Sequence, residues 1–166
     1  MLHPKVRPAT VSDIPRLTEI YNYYIVNTPA TFDIEPWTVE QRMEWFSHYA
    51  ATGPHRVLVA EAAGVVLGST WSSQFRVKAA YDTTVETSVY CDPEATRKGI
   101  GSALYEALFE ALAGQHLHRA VAGITLPNEA SVRLHERFGF RKVGAFTEVG
   151  KKFGTYWDVA QYEREL

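Results

Sequence analysis

Residues 87–112 read TSVYCDPEATRKGIGSALYEALFEAL and combine a strand pattern and a helix pattern without a spacer. The first part of this stretch is rich in β-branched and aromatic residues and ends in a Pro-containing turn, which is typical of a strand. Its second part carries leucines spaced four residues apart, which is the pattern of an amphipathic helix. Gly99 and Gly101 lie at the junction of the two parts. A strand that leads into a helix through glycines leaves unpaired amides at the helix start, and these favour an anion such as a phosphate.

The residues around Gly99 show which known anion-binding motifs this loop does not match. Arg97 and Lys98 add positive charge beside Gly99. A dinucleotide fingerprint is excluded because Leu104 stands where the third glycine is needed, and the chain contains no P-loop run. On these residues alone, an anion site and a basic helix start without a ligand both remain open.

Composition bounds the class of protein. The 166 residues are 46% hydrophobic and 22% charged, which predicts one globular domain spanning residues 1–166. The formal net charge of -2 argues against a nucleic-acid partner. The single cysteine, Cys91, cannot form an intrachain disulfide, which suits a reducing compartment. We find neither a signal peptide nor a membrane-spanning run, so we expect a cytoplasmic protein with no membrane partner.

Periodicity along the rest of the chain predicts the element order β-α-α-β-β-β-α-β-α-β-β. One helix is expected to begin after a cap at Thr10 or Ser12. Three further helices are expected at residues 38–51, 99–113 and 128–139. Strands are expected at residues 5–9, 82–92, 118–126, 141–150 and 156–166, with a further pair inside 56–75 that turns near Gly64. This order predicts an α/β fold of the α+β type, a mixed sheet with helices on its faces.

Two sequence blocks resemble one family. PEATRKGIGSAL, residues 93–104, resembles the acetyl-CoA pyrophosphate loop of the GCN5-related N-acetyltransferases, Gln/Arg-x-x-Gly-x-Gly/Ala, with Thr96 at the first position and Arg97 after it. LPNEASVRLHERFGFRKVG, residues 126–144, resembles the family's later motif, Asn-x-x-Ser/Ala-x-x-x-Tyr/His-x-x-x-Gly-Phe. The resemblance implies the fold of that family, acetyl-CoA as cosubstrate and transfer of an acetyl group to an amine.

The resemblance also implies a set of cofactor-binding positions. They are Val89, Tyr90, Cys91, Arg97, Lys98, Gly99, Ile100, Gly101, Ser102, Asn128 and Ser131. A strand amide near Val89 or Tyr90 would face the thioester carbonyl. Cys91 is interpreted as a packed thiol, because no base adjacent in sequence would activate it. Asn128 can cap its helix, bind the cofactor, or do both.

A narrower resemblance concerns the acceptor. AAYDTTVETSVYCDP, residues 79–93, resembles the phosphinothricin acetyltransferases and the relatives that acetylate methionine sulfone and methionine sulfoximine. The tail VGKKFGTYWDV, residues 149–159, is similar to their Gly-x-Lys-x-Gly-x-Trp-x-Asp run, with Tyr156 at the Trp position and Trp157 after it. These relatives form homodimers with the acceptor site near the interface, so the resemblance implies a homodimer.

Two residues are candidate catalytic groups. Acetyl transfer needs a neutral amine, so a base must accept a proton. By the resemblance that base is Glu86, whereas the residues alone favour an outward-facing strand carboxylate in a salt bridge. His135 could donate a proton to the departing sulfur or bind the cofactor, or it could simply bond to a nearby carbonyl. The other histidines are scattered and predict no metal site.

The candidate acceptor-binding residues lie in three parts of the chain. Phe32 resembles the apolar wall supplied by the first long loop. Arg76 suits a carboxylate, or it is a solvated loop charge. The remaining candidates are Tyr81, Asp82, Thr83 and Thr84, just before Glu86, and Thr147 and Lys152 in the tail.

The favoured function is acetylation of the α-amine of a small amino acid or analogue, such as phosphinothricin, methionine sulfone or methionine sulfoximine, which implies detoxification. One alternative is N-acetylation of a protein N-terminus or an antibiotic amine. The other is an acetyl-CoA-binding regulatory module without turnover.

Overall fold

The predicted order of helices and strands is confirmed. The computed structural model describes residues 4–95 and 99–166. The strands are β1 (Lys5–Pro8), β2 (Arg56–Ala62), β3 (Val65–Gln74), β4 (Thr84–Cys91), β5 (Arg119–Leu126), β6 (Arg141–Lys152) and β7 (Thr155–Glu165). The helices are α1 (Ile14–Asn27), α2 (Val39–Phe46), α3 (Ile100–Leu112) and α4 (Glu129–Arg137).

The strands form one mixed seven-stranded sheet in the order β1-β2-β3-β4-β5-β7-β6. All neighbours are antiparallel except β4 and β5. A parallel pair needs a long crossover, and α3 supplies it. The parallel pairing is short, running from Thr84 opposite Arg119 to Glu86 opposite Val121.

Each face of the sheet carries its own core. On one face, Leu108 and Leu112 of α3 pack with Val85 of β4. On the other face, Ile14 and Leu17 of α1 pack with apolar residues of β2 and β3, and Tyr90 of β4 lies against them. Because side chains alternate along a strand, Glu86 projects from the face opposite to Val85, on the side of α1 and α2.

The helix ends follow local chemistry, with two differences from the prediction. The first is that a 3-10 turn, Val11–Asp13, follows Thr10, so α1 begins at Ile14 rather than directly after Thr10 or Ser12. The capping box that opens α2 is confirmed, since the Thr38 amide donates to Oε1 of Gln41 at 2.8 Å and the Gln41 amide donates to Oγ1 of Thr38 at 3.2 Å. However, α2 ends at Phe46 rather than at residue 51. The chain reverses there, and the Ala50 amide donates to the His55 carbonyl at 3.1 Å. Backbone hydrogen bonding across this turn competes with further helix.

Among the helices of the described residues, none is long and apolar enough to cross a lipid bilayer.

Candidate active site

The site begins where β4 and β5 separate. The two strands are paired as far as Glu86 and Val121 and diverge beyond that point. A cavity of about 460 Å³ opens between them. Thr87 to Cys91 line one side of it, and Gly123 to Thr125 line the other. The start of α3 and the inner face of α4 complete the wall.

Most of the predicted cofactor residues meet in this cavity. Those that line it are Val89, Tyr90, Cys91, Gly99, Ile100, Gly101, Ser102, Asn128 and Ser131. His135 lines it as well. Arg97 and Lys98 lie outside the described residues.

Backbone groups of β4 face the gap. On the β3 side, Thr70 donates its hydroxyl to the Ser88 carbonyl at 2.7 Å. Neighbouring residues of a strand direct their N–H and C=O groups to opposite edges. The amide of Val89 therefore points toward β5, where no strand partner remains. This places an available donor in the cavity, close to Glu86 along the strand.

The start of α3 has a glycine at the capping position. Gly99 precedes the helix with a φ of 78°, a left-handed conformation that glycine adopts without strain, and among residues 4–95 and 99–166 no side-chain hydrogen bond caps the first turn. The first amides of the helix are therefore available to an anion. Gly101 has a packing role as well, because a β-carbon there would lie 3.1 Å from Cδ2 of Leu134 on α4.

Glu86 is half-buried, and burial raises the pKa of its carboxyl group, while the nearby Arg76 charge acts in the opposite direction. Among the described residues, neither a salt bridge nor a side-chain hydrogen bond engages this carboxylate. The described residues thus do not form the salt bridge that the alternative interpretation of Glu86 requires. The arrangement leaves a desolvated carboxylate free to accept a proton.

His135 is buried and held at both ring nitrogens. Nδ1 donates to the Ser131 carbonyl at 2.8 Å, and since a carbonyl only accepts, Nε2 must accept from the Tyr105 hydroxyl at 2.7 Å. Burial lowers the pKa of the imidazole, which favours this neutral form. The bond to a nearby carbonyl is present, and a role for His135 as proton donor stays a prediction.

Two further cavity residues show their local roles. Burial raises the pKa of Cys91 to about 11, so the thiol is protonated at neutral pH, as expected for a packed cysteine. Asn128 caps α4, since its Oδ1 accepts from the Ser131 amide at 3.2 Å. Asn128 also lines the cavity, and binding of the cofactor by its side chain stays a prediction.

The predicted acceptor residues fall into two groups. The guanidinium of the exposed Arg76 lies 4.8 Å from the ring centre of Phe75 and 5.8 Å from that of Tyr81, close to Glu86. Asp82 and Thr83 come directly after Tyr81 in the chain and are exposed, and Thr84 is the first residue of β4. The Thr83 carbonyl accepts from the His118 amide at 2.7 Å, which ties this segment to β5.

The second group lies where the loop after α1 meets the edge strand β6. Phe32, in the loop after α1, is 37% exposed and its ring lies on Gly150 of β6. Thr147 is exposed within a stretch of β6 where the register to β7 shifts, between Phe146 and Gly150. No described contact joins Thr147 to the cavity.

Several site residues were not predicted. Tyr24 of α1 lines the cavity, and its hydroxyl donates to the Cys91 carbonyl at 2.6 Å. Arg133 and Arg137 of α4 line it too, and their i, i+4 spacing puts both cations on one helix face. That spacing was a readable signal, whereas nothing near Tyr24 in sequence links it to Cys91.

Comparisons with known proteins agree with this geometry. The acetyltransferase (GNAT) domain family matches residues 6–160. A phosphinothricin N-acetyltransferase of Streptomyces coelicolor is 55% identical over 164 residues, which cover 98% of this chain and 96% of that protein. An L-methionine sulfoximine/L-methionine sulfone acetyltransferase of Pseudomonas aeruginosa is 38% identical over 161 residues, which cover 97% of this chain and 94% of that protein.

Solved structures give the same answer. The crystal structure of a phosphinothricin acetyltransferase from Sinorhizobium meliloti in complex with acetyl-CoA matches with a TM-score of 0.93 at 32% identity, over 98% of this chain and 88% of that chain. Since the family's domain and these relatives cover nearly the whole chain, the protein belongs to the GCN5-related N-acetyltransferase (GNAT) family and is an N-acetyltransferase.

Proposed function

We propose that the protein transfers the acetyl group of acetyl-CoA to the α-amine of a small amino acid or amino-acid analogue, with Glu86 as general base. The names of the relatives indicate phosphinothricin, methionine sulfone and methionine sulfoximine as acceptors. One observation carries the proposal. The cavity between β4 and β5 opens at the residue after a half-buried carboxylate whose pKa is raised.

The residues around the cavity fit acetyl-CoA. The uncapped amides after Gly99 suit a pyrophosphate, and Arg133 and Arg137 add positive charge on the same cavity. The open edges of β4 and β5 offer backbone groups to an extended chain with amide bonds, much as a sheet edge receives a peptide. When bound there, acetyl-CoA supplies the activated acetyl group.

The chain's own groups handle the proton and the developing charge. An α-ammonium group is mostly protonated near neutral pH, so it must lose a proton before the amine can attack. Burial raises the pKa of Glu86 toward the working pH, and a general base is most effective when its pKa lies near that pH. The Val89 amide, directed into the gap, is available to a carbonyl oxygen that gains negative charge.

His135 is the second candidate catalytic residue. Its Nδ1 proton is held by the Ser131 carbonyl, so donation into the cavity requires that bond to open. A thiolate of ordinary pKa, about 8.5, is a fair leaving group without help. We therefore assign the larger role to Glu86.

The acceptor is proposed to bind beside Glu86, on the face of β4 opposite to α3. Arg76 is proposed to pair with the acceptor carboxylate, and its position near Glu86, whose pKa its charge lowers, supports this role. Phe32 would contact the acceptor's side chain as an apolar wall. Tyr81, Asp82, Thr83, Thr84 and Thr147 remain proposed acceptor-side positions.

The remaining predictions concern the setting of the enzyme. One sheet contains all seven strands, which supports a single domain over residues 1–166. Exposed apolar side chains on the edge strand β6, Val143, Phe146 and Val149, support a homodimer. Action in the cytoplasm, a role in detoxification and the lack of nucleic-acid or membrane partners stay predictions.

The test is release of free thiol from acetyl-CoA with a panel of amines. The panel contains methionine sulfone, methionine sulfoximine, phosphinothricin, the common amino acids, an aminoglycoside and a short peptide. Turnover confined to the amino-acid analogues supports the proposal. Turnover only with the peptide or the aminoglycoside overturns the acceptor assignment, and thiol release with none of them points to a regulatory module.

A further inference from the structure

The ring of Phe32 occupies the space that a side chain at position 150 would need. A β-carbon built on Gly150 would lie 2.6 Å from Cδ2 of Phe32 and closer still to Cε2 and Cζ. Real β-carbons do not approach other atoms this closely, so Phe32 would have to move if residue 150 had a side chain. The backbone of Gly150 has no positive φ, so the close approach of Phe32 is what requires glycine here.

The loop that carries Phe32 is braced on both sides of that residue. Lys152 is 4% exposed, and its ammonium group donates to the Thr31 carbonyl at 2.7 Å. The Tyr21 hydroxyl lies 2.8 Å from Oγ1 of Thr31 and donates to Oδ2 of Asp33 at 2.7 Å. These contacts fix the backbone immediately before and after Phe32.

The contacts from β6 to the Phe32 loop follow from the geometry of a strand. Gly150 and Lys152 are two residues apart on β6, so they face the same side of the strand and both meet the loop after α1. The indole N–H of Trp157 on β7 donates to the Lys152 carbonyl at 2.9 Å, which anchors the end of β6. The end of β6 thus touches the Phe32 loop through a ring contact and a hydrogen bond.

We propose that Gly150 and Lys152 are positioning residues that set the width of the acceptor site, Gly150 by giving the Phe32 ring its space and Lys152 by holding the loop that carries it. This inference rests on the proposed function, in which Phe32 contacts the acceptor. Neither residue touches the cofactor cavity. Changes at either position therefore act on the acceptor and leave acetyl-CoA binding as it is.

The first test replaces Gly150 by alanine. Gly150→Ala is expected to lower kcat/KM for methionine sulfone by about ten- to a hundredfold, because a wall displaced by about an ångström misplaces the acceptor. The KM for acetyl-CoA stays unchanged. Gly144→Ala is the matched control, because Gly144 lies on the same strand and a β-carbon there would meet nothing within 4 Å.

A double-mutant cycle separates positioning from general damage. In a Phe32→Ala background the ring is absent, so adding Gly150→Ala should change kcat/KM no further. Lys152→Met keeps the length of the side chain and removes the ammonium donor, and it is expected to raise the acceptor KM several-fold. Lys151→Met is its control, because the Lys151 ammonium lies over the exposed Tyr156 ring instead.

The outcomes distinguish this inference from the proposed function. If the wild type acetylates methionine sulfone but Gly150→Ala behaves like Gly144→Ala, or if the effects of Gly150→Ala and Phe32→Ala simply add, the inference is wrong. If the wild type acetylates none of the amino-acid analogues, the proposed function fails and the acceptor part of the inference fails with it. A crystal structure of Gly150→Ala then decides the remaining part, since an unmoved Phe32 ring would refute the steric argument.

Discussion

The replacement of Glu86 by glutamine tests the proposed chemistry most directly. A positioned general base contributes about a hundred- to ten-thousandfold to the rate, so Glu86→Gln is expected to lower kcat by that factor. Because Glu86 lies outside the lining of the cofactor cavity, equilibrium binding of acetyl-CoA should not change. Glutamine has nearly the same volume, and no described side-chain partner of Glu86 is left unpaired by the change.

The pH dependence gives the same prediction an independent readout. Burial raises the pKa of Glu86 above its ordinary value of 4.5, and only the ionised form accepts a proton. The wild-type kcat/KM should therefore rise with pH through this raised pKa. In the Glu86→Gln variant that rise should be absent, and only the deprotonation of the amine should remain in the profile.

Stability should move in the opposite direction to activity. A carboxyl group whose pKa is raised in the folded state makes the ionised form unfavourable there, so its cost to stability is present at neutral pH and vanishes below its unfolded pKa. Glu86→Gln is thus expected to be at least as stable as the wild type in urea at pH 7. A less stable variant would contradict the assignment of a desolvated, unpaired carboxylate.

The assay is thiol release from acetyl-CoA with methionine sulfone, read across the neutral range of pH, together with urea unfolding. Glu110→Gln, an exposed position on α3, is the matched control and should keep wild-type kinetics. A Glu86→Gln variant with undiminished turnover and an unchanged pH profile would refute the role of Glu86 as base.

Three other substitutions probe the framework of the site. Gly68→Ala would place a β-carbon 2.9 Å from a backbone carbonyl of β4, so we expect a loss of about 1–3 kcal/mol in urea unfolding and a higher KM for acetyl-CoA. Tyr105→Phe leaves Nε2 of buried His135 without a donor and should cost about 1–3 kcal/mol, with no loss in a variant at an exposed tyrosine. Asp13 is buried and bonded to Arg7, which lowers its pKa below 3.8. The difference in the free energy of unfolding between the wild type and Asp13→Asn should therefore be largest at neutral pH and become smaller as the pH falls below about 4. A difference that does not change with pH would contradict the ion pair.

Much of the fold was readable because its signals are local. Leucines four residues apart, the capping box of Thr38 and Gln41, and the glycine after α4 each act within a few residues of chain. They predicted the order of all helices and strands correctly. The end of α2 was missed because the bond from the Ala50 amide to the His55 carbonyl competes with helix there, and helical periodicity carries no sign of it.

The site divides in the same way. Local sequence was sufficient to predict the glycine loop before α3, the helix of Asn128 and His135, and the strand that carries Glu86, because each depends on neighbours in the chain. Three other features became visible only in the folded chain: β4 and β5 part directly after Glu86, both ring nitrogens of His135 are engaged, and the Phe32 ring lies on Gly150. These features join segments far apart in the chain, and such contacts are set by how whole elements pack, which no local pattern records.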